Sequence, residues 1–504
     1  MTTNEIRKFI ARILCEGVQL SPDAIEFIVQ SNNIDQITNQ IIGKLRKLTR
    51  KPLILTSETI AELLHIKRET VKLRIDAKEV KEDIEIVFNA SDVINSEGNI
   101  DDFISHFISR FKKIRRIILR ERFDARGTIT IREAKRIIKK YNDKVKLICI
   151  ISSKKKADNG NIIFEIEDLT DSIRAIVPFK SNIIDKAEKI VKDEVVFLEG
   201  RIINDTFLVN EISQPEVPRI NRHSYESENF PDIYAVLISD LHVGSKYFMR
   251  STFNRFLLWI NGKIGDEKIR KIARRVKYLI IAGDLIDGIG IYPNQEKELL
   301  VKNIKKQYEI VARYLSQIPK HIKIIVIPGN HDATRRALPS PAIFKEYAEP
   351  LYKLPNIIML GDPAYIRLHG MLFLITHGRS LDDILATVPG THYDRPAEAM
   401  IELLRRRHLA PIYGARTPIA PEREDMLVID KVPDVFHAGH LHTFGYLIYR
   451  GIIVVNSGTW QGQTDYMRAM GMKPNPGKAT IINLKSRRVE AVLDFTIESH
   501  IKFV

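Results

Sequence analysis

The stretch Leu279-Ile280-Ile281-Ala282-Gly283-Asp284 is an apolar run that stops at a carboxylate. Consecutive apolar residues that end at a glycine are typical of a buried β-strand. Because loops leaving the carboxyl ends of parallel strands converge on one crevice in α/β folds, we expect Asp284 to lie in such a crevice. Four further apolar runs end in the same way, at Asp240-Leu241-His242, Gly329-Asn330-His331-Asp332, His377-Gly378 and Gly439-His440-Leu441-His442.

These strand ends carry residue types that bind divalent metal ions. Two ions about 3.5–4 Å apart neutralise a phosphodiester and make hydroxide near neutral pH, so a pair of ions suits phosphoester cleavage. Such a pair needs a bridging carboxylate, for which Asp284 is the candidate. Mixed imidazole and oxygen ligands suit manganese, iron or zinc better than calcium or magnesium, and the sequence does not choose among those three. The expected ligands are Asp240, His242, Asp284 and His442 for one ion and Asp284, Asn330, His377 and His440 for the other.

His331 directly follows the predicted ligand Asn330 and is expected to face the substrate. A histidine there could protonate the leaving oxygen or stabilise its charge, which makes His331 the candidate catalytic residue. Asp332 is expected to orient the His331 imidazole. Asp287 is expected either to hold His331 or to cap the following helix. Each of these residues alone could be a helix cap or a core residue, but the full ordered set makes coincidence implausible.

Composition limits the classes of function. The formal charge of +15 over 504 residues favours a polyanionic partner. The apolar run from Ile6 to Leu14 is interrupted by charges, so we expect no secretory leader. No apolar run approaches the length that crosses a bilayer. We therefore expect a cytoplasmic protein with no membrane partner.

The chain divides into four predicted parts. Residues 1–50 carry an apolar helical stripe and predict a small helical module, used either for docking or for structure alone. Residues 51–140 are highly charged, and an amphipathic helix around Phe111 is interpreted as a solvated linker or as a nucleic-acid or partner surface. Residues 230–504 alternate strands with helices and predict an α/β domain.

Residues 144–215 form the third part. Five strand-like runs occur there, with a helical stretch, Ile183–Val191, between the third and the fourth. This order of elements is that of an OB-fold. Such folds often bind single strands through aromatic side chains, but the phenylalanines here alternate as core residues do. A protein-docking role is therefore favoured slightly over nucleic-acid binding.

The ordered motifs D-x-H, G-D-x-x-D-G, G-N-H-D, T-H-G and G-H-x-H resemble those of the calcineurin-like metallophosphoesterases over about residues 230–470. The resemblance implies a four-layer α/β fold, with two mixed sheets packed face to face and helices outside. It also implies the two ligand sets given above, and His331 as the catalytic acid.

The wider arrangement is similar to the small-subunit family of archaeal D-family DNA polymerases. The helical module, the OB-fold and the phosphoesterase domain follow one another in that order, and the stretches Tyr393–Pro396 and Leu404–Gly414 strengthen the match. The resemblance implies a metal-dependent 3′-to-5′ exonuclease that acts on single-stranded or mismatched DNA 3′ ends. It implies a large catalytic polymerase subunit as partner, with a sliding clamp as a further candidate. It does not cover residues 51–140.

The long segment between His377 and His440 is expected to rim the site and contact DNA. Its candidate contacts are Arg405, Arg406, Arg407 and His408 to phosphate, and Tyr393 and Tyr413 to a terminal base. The arginines could instead form a solvated helix face. Two other functions also stay open: a phosphatase or nucleotide phosphodiesterase on the same scaffold, and an assembly subunit that mainly stabilises its large partner.

Overall fold

The computed structural model describes residues 3–21, 24–25, 28, 34–48, 54–64, 76–137, 144–220, 232–497 and 501–503. The chain forms two compact units, Met1–Arg74 and Ile75–Val504. This division differs from the four parts expected from the sequence, because much of the charged 51–140 segment belongs to the larger unit. The four-part division remains a prediction.

The smaller unit contains helices around a small apolar core. A helix at the predicted place is confirmed over Thr3–Leu14. Ile13, Ile41 and Ile60, from three different helices, are fully buried together. The elements are α1 (Thr3–Leu14), β1 (Gln19–Leu20), α2 (Ile34–Leu45), β2 (Ile54–Leu55) and α3 (Ser57–Leu64).

A closed five-stranded barrel lies in the larger unit, at the position of the five predicted strand runs. The strands pair in the order β4-β5-β6-β8-β7, and a short helix lies between β6 and β7. Phe164 and Phe207 are fully buried inside the barrel, whereas Phe179 is exposed. The elements are β4 (Val145–Lys156), β5 (Ile162–Glu167), β6 (Ser172–Val177), α6 (Ile184–Lys189), β7 (Val195–Ile203) and β8 (Thr206–Ser213).

Two mixed sheets make up the rest of the larger unit. The seven-stranded sheet has the order β12-β11-β10-β9-β18-β19-β20, and the six-stranded sheet has the order β16-β17-β15-β14-β13-β3. The first contains β9 (Tyr234–Ile238), β10 (Val276–Ala282), β11 (Lys323–Ile327), β12 (Ile357–Met359), β18 (Lys478–Asn483), β19 (Arg488–Asp494) and β20 (Lys502–Phe503). The second contains β3 (Ile84–Asn89), β13 (Ala364–Leu368), β14 (Met371–Ile375), β15 (Val435–Ala438), β16 (Phe444–Tyr449) and β17 (Ile452–Ser457).

The two sheets pack face to face, with helices on their outer faces. Successive side chains of a strand point to opposite faces, and β9 follows this rule. Leu237 packs between the sheets against the cluster that contains Phe373 of β14, whereas Val236 and Ile238 pack against the outer helices. Burial on both faces explains why the runs are apolar throughout rather than alternating. Each such side chain contributes about 1.5–3 kcal/mol by leaving water.

The outer helices are connected to the strands by the loops that carry the predicted ligands. The helix after β10 begins at Ile304, because Asn303 accepts a hydrogen bond from the Lys306 backbone at 3.0 Å and caps it there. The helices are α7 (Arg250–Ile260), α8 (Glu267–Arg274), α9 (Ile304–Leu315), α10 (Lys345–Tyr352), α11 (Leu381–Thr387), α12 (Pro396–Arg406) and α13 (Asp465–Ala469).

The charged segment before the barrel is tied to the larger unit at two places. Strand β3 pairs antiparallel with β13 and forms one edge of the six-stranded sheet. The predicted amphipathic helix is α4 (Ile100–Glu121), which α5 (Ile131–Ile137) follows. Its apolar face packs against the barrel strands, with Phe111, Ile114 and Ile118 buried. A freely solvated linker therefore does not describe this helix. No helix in the described part of the chain could cross a membrane.

Candidate metal centre

The five apolar runs that precede the predicted ligands are all strands, as expected. Strands β9, β10 and β11 run parallel in one sheet, and β14 runs parallel to β15 in the other. Their carboxyl ends therefore deliver loops from both sheets to one place. The side chains of Asp240, His242, Asp284 and His442 meet there with ligand atoms within 4.8 Å of one another.

The backbone at this place is strained. Five of the seven predicted metal ligands have a positive φ, although none of them is glycine; they are Asp240, His242, Asp284, His440 and His442, with φ of 54°, 52°, 53°, 70° and 56°. Left-handed backbone costs about 1–3 kcal/mol for such residues and persists only where the surrounding structure enforces it. Strain gathered at one point in the fold indicates a functional site.

Two glycines allow the loops to come close enough. A Cβ atom on Gly329 would collide with the Asp284 carboxylate, and one on Gly439 would collide with the Asp240 carboxylate. Both positions must therefore be glycine for the carboxylates to stand where they do. This explains the glycine that precedes a ligand in G-N-H-D and in G-H-x-H.

Three of the predicted ligands of the first ion approach one another closely. His242 Nε2 lies 2.9 Å from His442 Nε2, and His442 Nε2 lies 3.3 Å from Asp240 Oδ1. The fourth predicted ligand, Asp284, places Oδ2 at 3.7 Å from His242 Nε2. Ring nitrogens and carboxylate oxygens from three loops thus point at the same small volume.

The predicted ligands of the second ion also meet at Asp284. His377 Nε2 lies 3.3 Å from Asp284 Oδ2 and 3.0 Å from Asn330 Oδ1. His440 Nδ1 lies 3.0 Å from the same Asn330 oxygen. Asp284 Oδ2 therefore lies within 4 Å of a ring nitrogen from each group, which is the place expected of a bridging ligand.

Hydrogen bonds on the far side of each ring fix which nitrogen faces inward. Nδ1–H of His242 donates to Asp287 Oδ1 at 3.1 Å, and Nδ1–H of His377 donates to the Ala282 carbonyl at 2.9 Å. Nε2–H of His440 donates to Asp382 Oδ2 at 3.1 Å. On binding a metal ion, each inward nitrogen would give up its proton and offer its lone pair, which is the usual arrangement of metal-binding histidines.

The buried carboxylates of this cluster favour positive charge beside them. Burial would raise the pKa of Asp284, but the imidazoles of His377 and His331 outweigh it and hold this pKa well below its usual range. Burial would lower the pKa of His242 and of His377, yet the neighbouring carboxylates raise both to about 10. Protons on these rings therefore supply charge that divalent cations could supply instead. The donor set fits such ions.

His331 lies beside this cluster, as predicted. Its Nδ1–H donates to the backbone carbonyl of Asp287 at 2.7 Å, so Nε2 is left facing Asp284, 3.9 Å from its Oδ2. The ring makes an edge contact with His242, with centroids 4.6 Å apart. A small part of the His331 side chain, 12%, is open to solvent.

The two supporting aspartates act differently from the expectation. The side chain of Asp287 holds His242 rather than His331, and it also accepts from Gln461 Nε2 at 2.9 Å. The prediction that Asp332 orients His331 is wrong. Asp332 instead accepts from the Gly329 backbone at 2.9 Å and from the Tyr308 hydroxyl at 3.0 Å. It therefore braces the loop, while burial raises its pKa to about 7.

Several supporting residues were not predicted. Asp382 fixes the His440 ring, and Asp362 accepts a hydrogen bond from the His377 backbone at 3.0 Å. Gln461 lies beyond the last predicted ligand motif and still reaches Asp287. Asp362 and Gln461 sit in loops without periodic pattern, and Asp382 lies in the first turn of the short helix α11. The only signal for Asp382 was its short distance in sequence from His377.

The predicted phosphate contacts of Arg406, Arg407 and His408 need correction, because all three side chains are buried. Arg406 pairs with Glu402 Oε2 at 2.5 Å and with Glu194 Oε2 of the barrel region at 3.2 Å. Arg407 donates to the Ile429 carbonyl at 2.7 Å. They form neither a DNA-binding surface nor a solvated face, since they tie α12 to its neighbours.

The other three predicted DNA contacts are only partly buried. Arg405 pairs with Glu402 and keeps 35% of its side chain exposed. The hydroxyl of Tyr393 donates to the Leu441 carbonyl. Tyr413 packs against Phe103 and Phe107, with ring centroids 5.9 Å and 5.4 Å away. Their contacts to DNA remain predictions.

Comparison with known proteins identifies the family. A family model that describes the B subunits of DNA polymerases alpha and epsilon matches residues 235–446. The DNA polymerase II small subunit of Pyrococcus furiosus is 42% identical over 431 residues, which is 83% of this chain and 69% of the relative. That of Methanothermobacter thermautotrophicus is 38% identical over 496 residues, which is 97% of this chain and 100% of the relative.

Among solved structures, an archaeal phosphodiesterase is 14% identical and covers 54% of this chain and 100% of its own, with a TM-score of 0.27. A score this low supports no inference. The family is shown by the curated relatives, which match almost the whole chain at well above 30% identity. On that evidence the chain belongs to the family of archaeal DNA polymerase II small subunits.

Proposed function

We propose that this small subunit is a two-metal 3′-to-5′ exonuclease that removes nucleotides from single-stranded or mismatched DNA ends. It works beside a large catalytic polymerase subunit, with a sliding clamp as a further candidate partner. The observation that carries the proposal is the convergence of two groups of ligand atoms on Asp284. The two packed sheets and the closed barrel support a calcineurin-like metallophosphoesterase domain preceded by an OB-fold.

The predicted residues fit two divalent ions, for which manganese is the first candidate and iron or zinc the alternatives. Asp240, His242 and His442 would hold one ion, Asn330, His377 and His440 would hold the other, and Asp284 would touch both. Bound ions would neutralise the phosphodiester and supply hydroxide near neutral pH.

His331 is suited to move a proton at the leaving oxygen. Its Nδ1 is occupied by the Asp287 carbonyl, so Nε2 is the nitrogen that can reach a substrate. Asp287 fixes two rings at once, His331 through its carbonyl and His242 through its carboxylate. The acid and the neighbouring ligand therefore keep a constant relative position, which favours efficient proton transfer.

The test is digestion of a 5′-labelled oligonucleotide with a 3′ mismatch, with manganese, by the small subunit alone and with its large partner. We expect products that shorten stepwise from the 3′ end with wild type and intact DNA with His440→Ala. His331→Ala should slow cleavage about 10²–10⁴-fold while metal content measured by mass spectrometry stays the same.

Intact DNA with wild type in both preparations would refute the nuclease. Rapid hydrolysis of a phosphopeptide by the same preparation, with DNA untouched, would favour a phosphatase. Inactivity on both substrates, with a stable complex with the large subunit, would leave the assembly role. Loss of both activity and folding in His440→Ala would leave that variant uninformative, so its thermal unfolding is measured in parallel.

A further inference from the structure

Two tyrosine rings stack beside the predicted catalytic histidine. Tyr292 and Tyr466 have ring centroids 5.0 Å apart and planes inclined by 29°. The Tyr292 ring also lies next to His331, with centroids 6.3 Å apart. The pair therefore stands at the edge of the metal centre on the side of His331.

Hydrogen bonds hold this pair in place relative to the metal centre. The hydroxyl of Tyr292 donates to Glu298 Oε2 at 2.7 Å. The other oxygen of Glu298 accepts from the backbone of Asp465 at 3.0 Å, directly before Tyr466. Gln295, from the same turn as Tyr292, donates to the Asp287 carbonyl at 2.7 Å. Both rings are thus connected to the loop that positions His331 and His242.

Tyr466 is only partly used for packing, through its contact with Tyr292. Its side chain is 43% exposed, and its hydroxyl has no hydrogen-bond partner within the described parts of the chain. The two tyrosines expected from the sequence to stack on DNA are engaged elsewhere, Tyr393 through its hydroxyl and Tyr413 through its ring. Tyr466 is the exposed ring whose stacking partner lies against His331.

We propose that the Tyr292–Tyr466 pair is the stacking surface for the nucleobase of the 3′-terminal nucleotide. Every base has a π face, so stacking tolerates all sequences, as a nuclease that removes any mispaired end requires. A paired base must leave its duplex stack first, and this cost is lowest for mismatched ends. The inference rests on the proposed nuclease function and adds the group that recognises the terminal base.

The test measures stacking directly. A single-stranded oligonucleotide carries 2-aminopurine as its last base and a phosphorothioate as its last linkage, which slows cleavage. We expect wild type and Tyr466→Phe to quench the 2-aminopurine fluorescence on binding, and Tyr466→Ala to lose most of this quenching. With an ordinary 3′-mismatched substrate, Tyr466→Ala should raise KM by about tenfold, and lower kcat less, because one stacked base is lost.

Tyr446→Ala is the matched control. Tyr446 is also 43% exposed, but it lies on β16 and its ring contacts neither Tyr292, Tyr466 nor His331 among the described residues. This variant should behave as wild type does. Full quenching by Tyr466→Ala, or an equal loss in Tyr446→Ala, would overturn the stacking role. Wild type that neither binds nor cleaves DNA would instead refute the nuclease function, and the stacking role with it.

Discussion

Two clusters of buried acids and histidines lie in the larger unit. They differ in whether a basic side chain pairs with the buried carboxylates. One is the candidate metal centre around Asp284, called the metal centre below. The other, the Asp425 cluster, consists of Asp425, Arg110, His106 and His408, which α4 and the segment after α12 bring together. Both are almost fully buried, so burial alone does not distinguish a functional site from a structural one.

The Asp425 cluster contains its own cation. Arg110 Nε donates to Asp425 Oδ2 at 2.8 Å, and His408 Nε2–H donates to the same oxygen at 2.9 Å. His408 Nδ1 accepts from the Ala410 backbone at 3.0 Å, so this ring is neutral. A buried carboxylate that is paired and hydrogen-bonded in this way needs no further ligand.

The metal centre has no such cation. No lysine or arginine of the described chain forms an ion pair with Asp240 or Asp284, and two ring nitrogens face each other at 2.9 Å. Its ligands also sit on strained backbone, which those of the Asp425 cluster do not. Ligand atoms that face one another without a lysine or arginine to pair with them, together with backbone strain, are therefore the features that indicate a metal site, rather than burial.

The largest effect is expected at the carboxylate shared by both ligand groups. Asp284→Asn keeps the shape of the side chain but loses its charge, and several kcal/mol of transition-state stabilisation correspond to about 10³-fold in rate. We expect cleavage to fall at least that far and bound metal, measured by mass spectrometry, to decrease. Unchanged metal content and rate would mean that Asp284 is not a ligand.

The same kind of change in the Asp425 cluster should affect folding instead. Asp425→Ala leaves Arg110 buried without its partner, and breaking a buried pair costs about 3–5 kcal/mol. We expect a lower temperature of thermal unfolding with unchanged metal content in the folded fraction. Loss of metal without loss of stability would contradict the separation of the two clusters.

A smaller effect is expected at Asp287, which is not a predicted ligand but orients one of them through a hydrogen bond. Asp287→Asn weakens the hydrogen bond that orients His242, and the loss of such a partner lowers metal affinity about 10–100-fold. Titration of the metal-free protein with manganese measures this change. Asp465→Asn, which removes an exposed carboxylate, is the control and should bind manganese as wild type does.

The smallest expected effect is a change in the stability of the fold with pH, caused by the His408 imidazole. Burial lowers the pKa of His408 to about 4, whereas the unfolded chain titrates near 6.5. The unfolded state therefore takes up the proton first, and stability falls as the pH drops from 6.5 towards 4. At pH 5.5 this amounts to about 1 kcal/mol. Chemical denaturation at pH 7 and 5.5 should show a smaller decrease for His408→Gln than for wild type.

The convergence of the candidate ligands could be predicted from sequence because they follow apolar strands at recognisable positions. Asp284 and His377 follow β10 and β14, which belong to the two sheets that pack face to face, and the two side chains meet where these strands end. Asp382 and Gln461 could not be predicted, since they reach the site through tertiary contacts that leave no periodic signal. The backbone carbonyl of Asp287, which holds His331, carries no sequence signal at all.

The arginine run 405–407 shows where prediction from the sequence pattern fails. Three consecutive arginines at the end of a helix usually face solvent or an anion, and both interpretations were open. Arg406 is buried because Glu194, far away in the sequence, lies beside it in the fold. Arg407 ends α12 with a φ of 54°, which turns its side chain towards the Ile429 carbonyl. Such pairings depend on tertiary contacts that local periodicity does not encode.

Strand β3 limits where the chain can be truncated without exposing a sheet edge. It comes before the barrel in sequence but completes the six-stranded sheet by pairing with β13. A truncation that begins at the barrel would uncover the edge of β13, and an open strand edge invites aggregation through intermolecular pairing. Fragments meant for crystallisation or assay should therefore keep everything from the start of the larger unit, at Ile75.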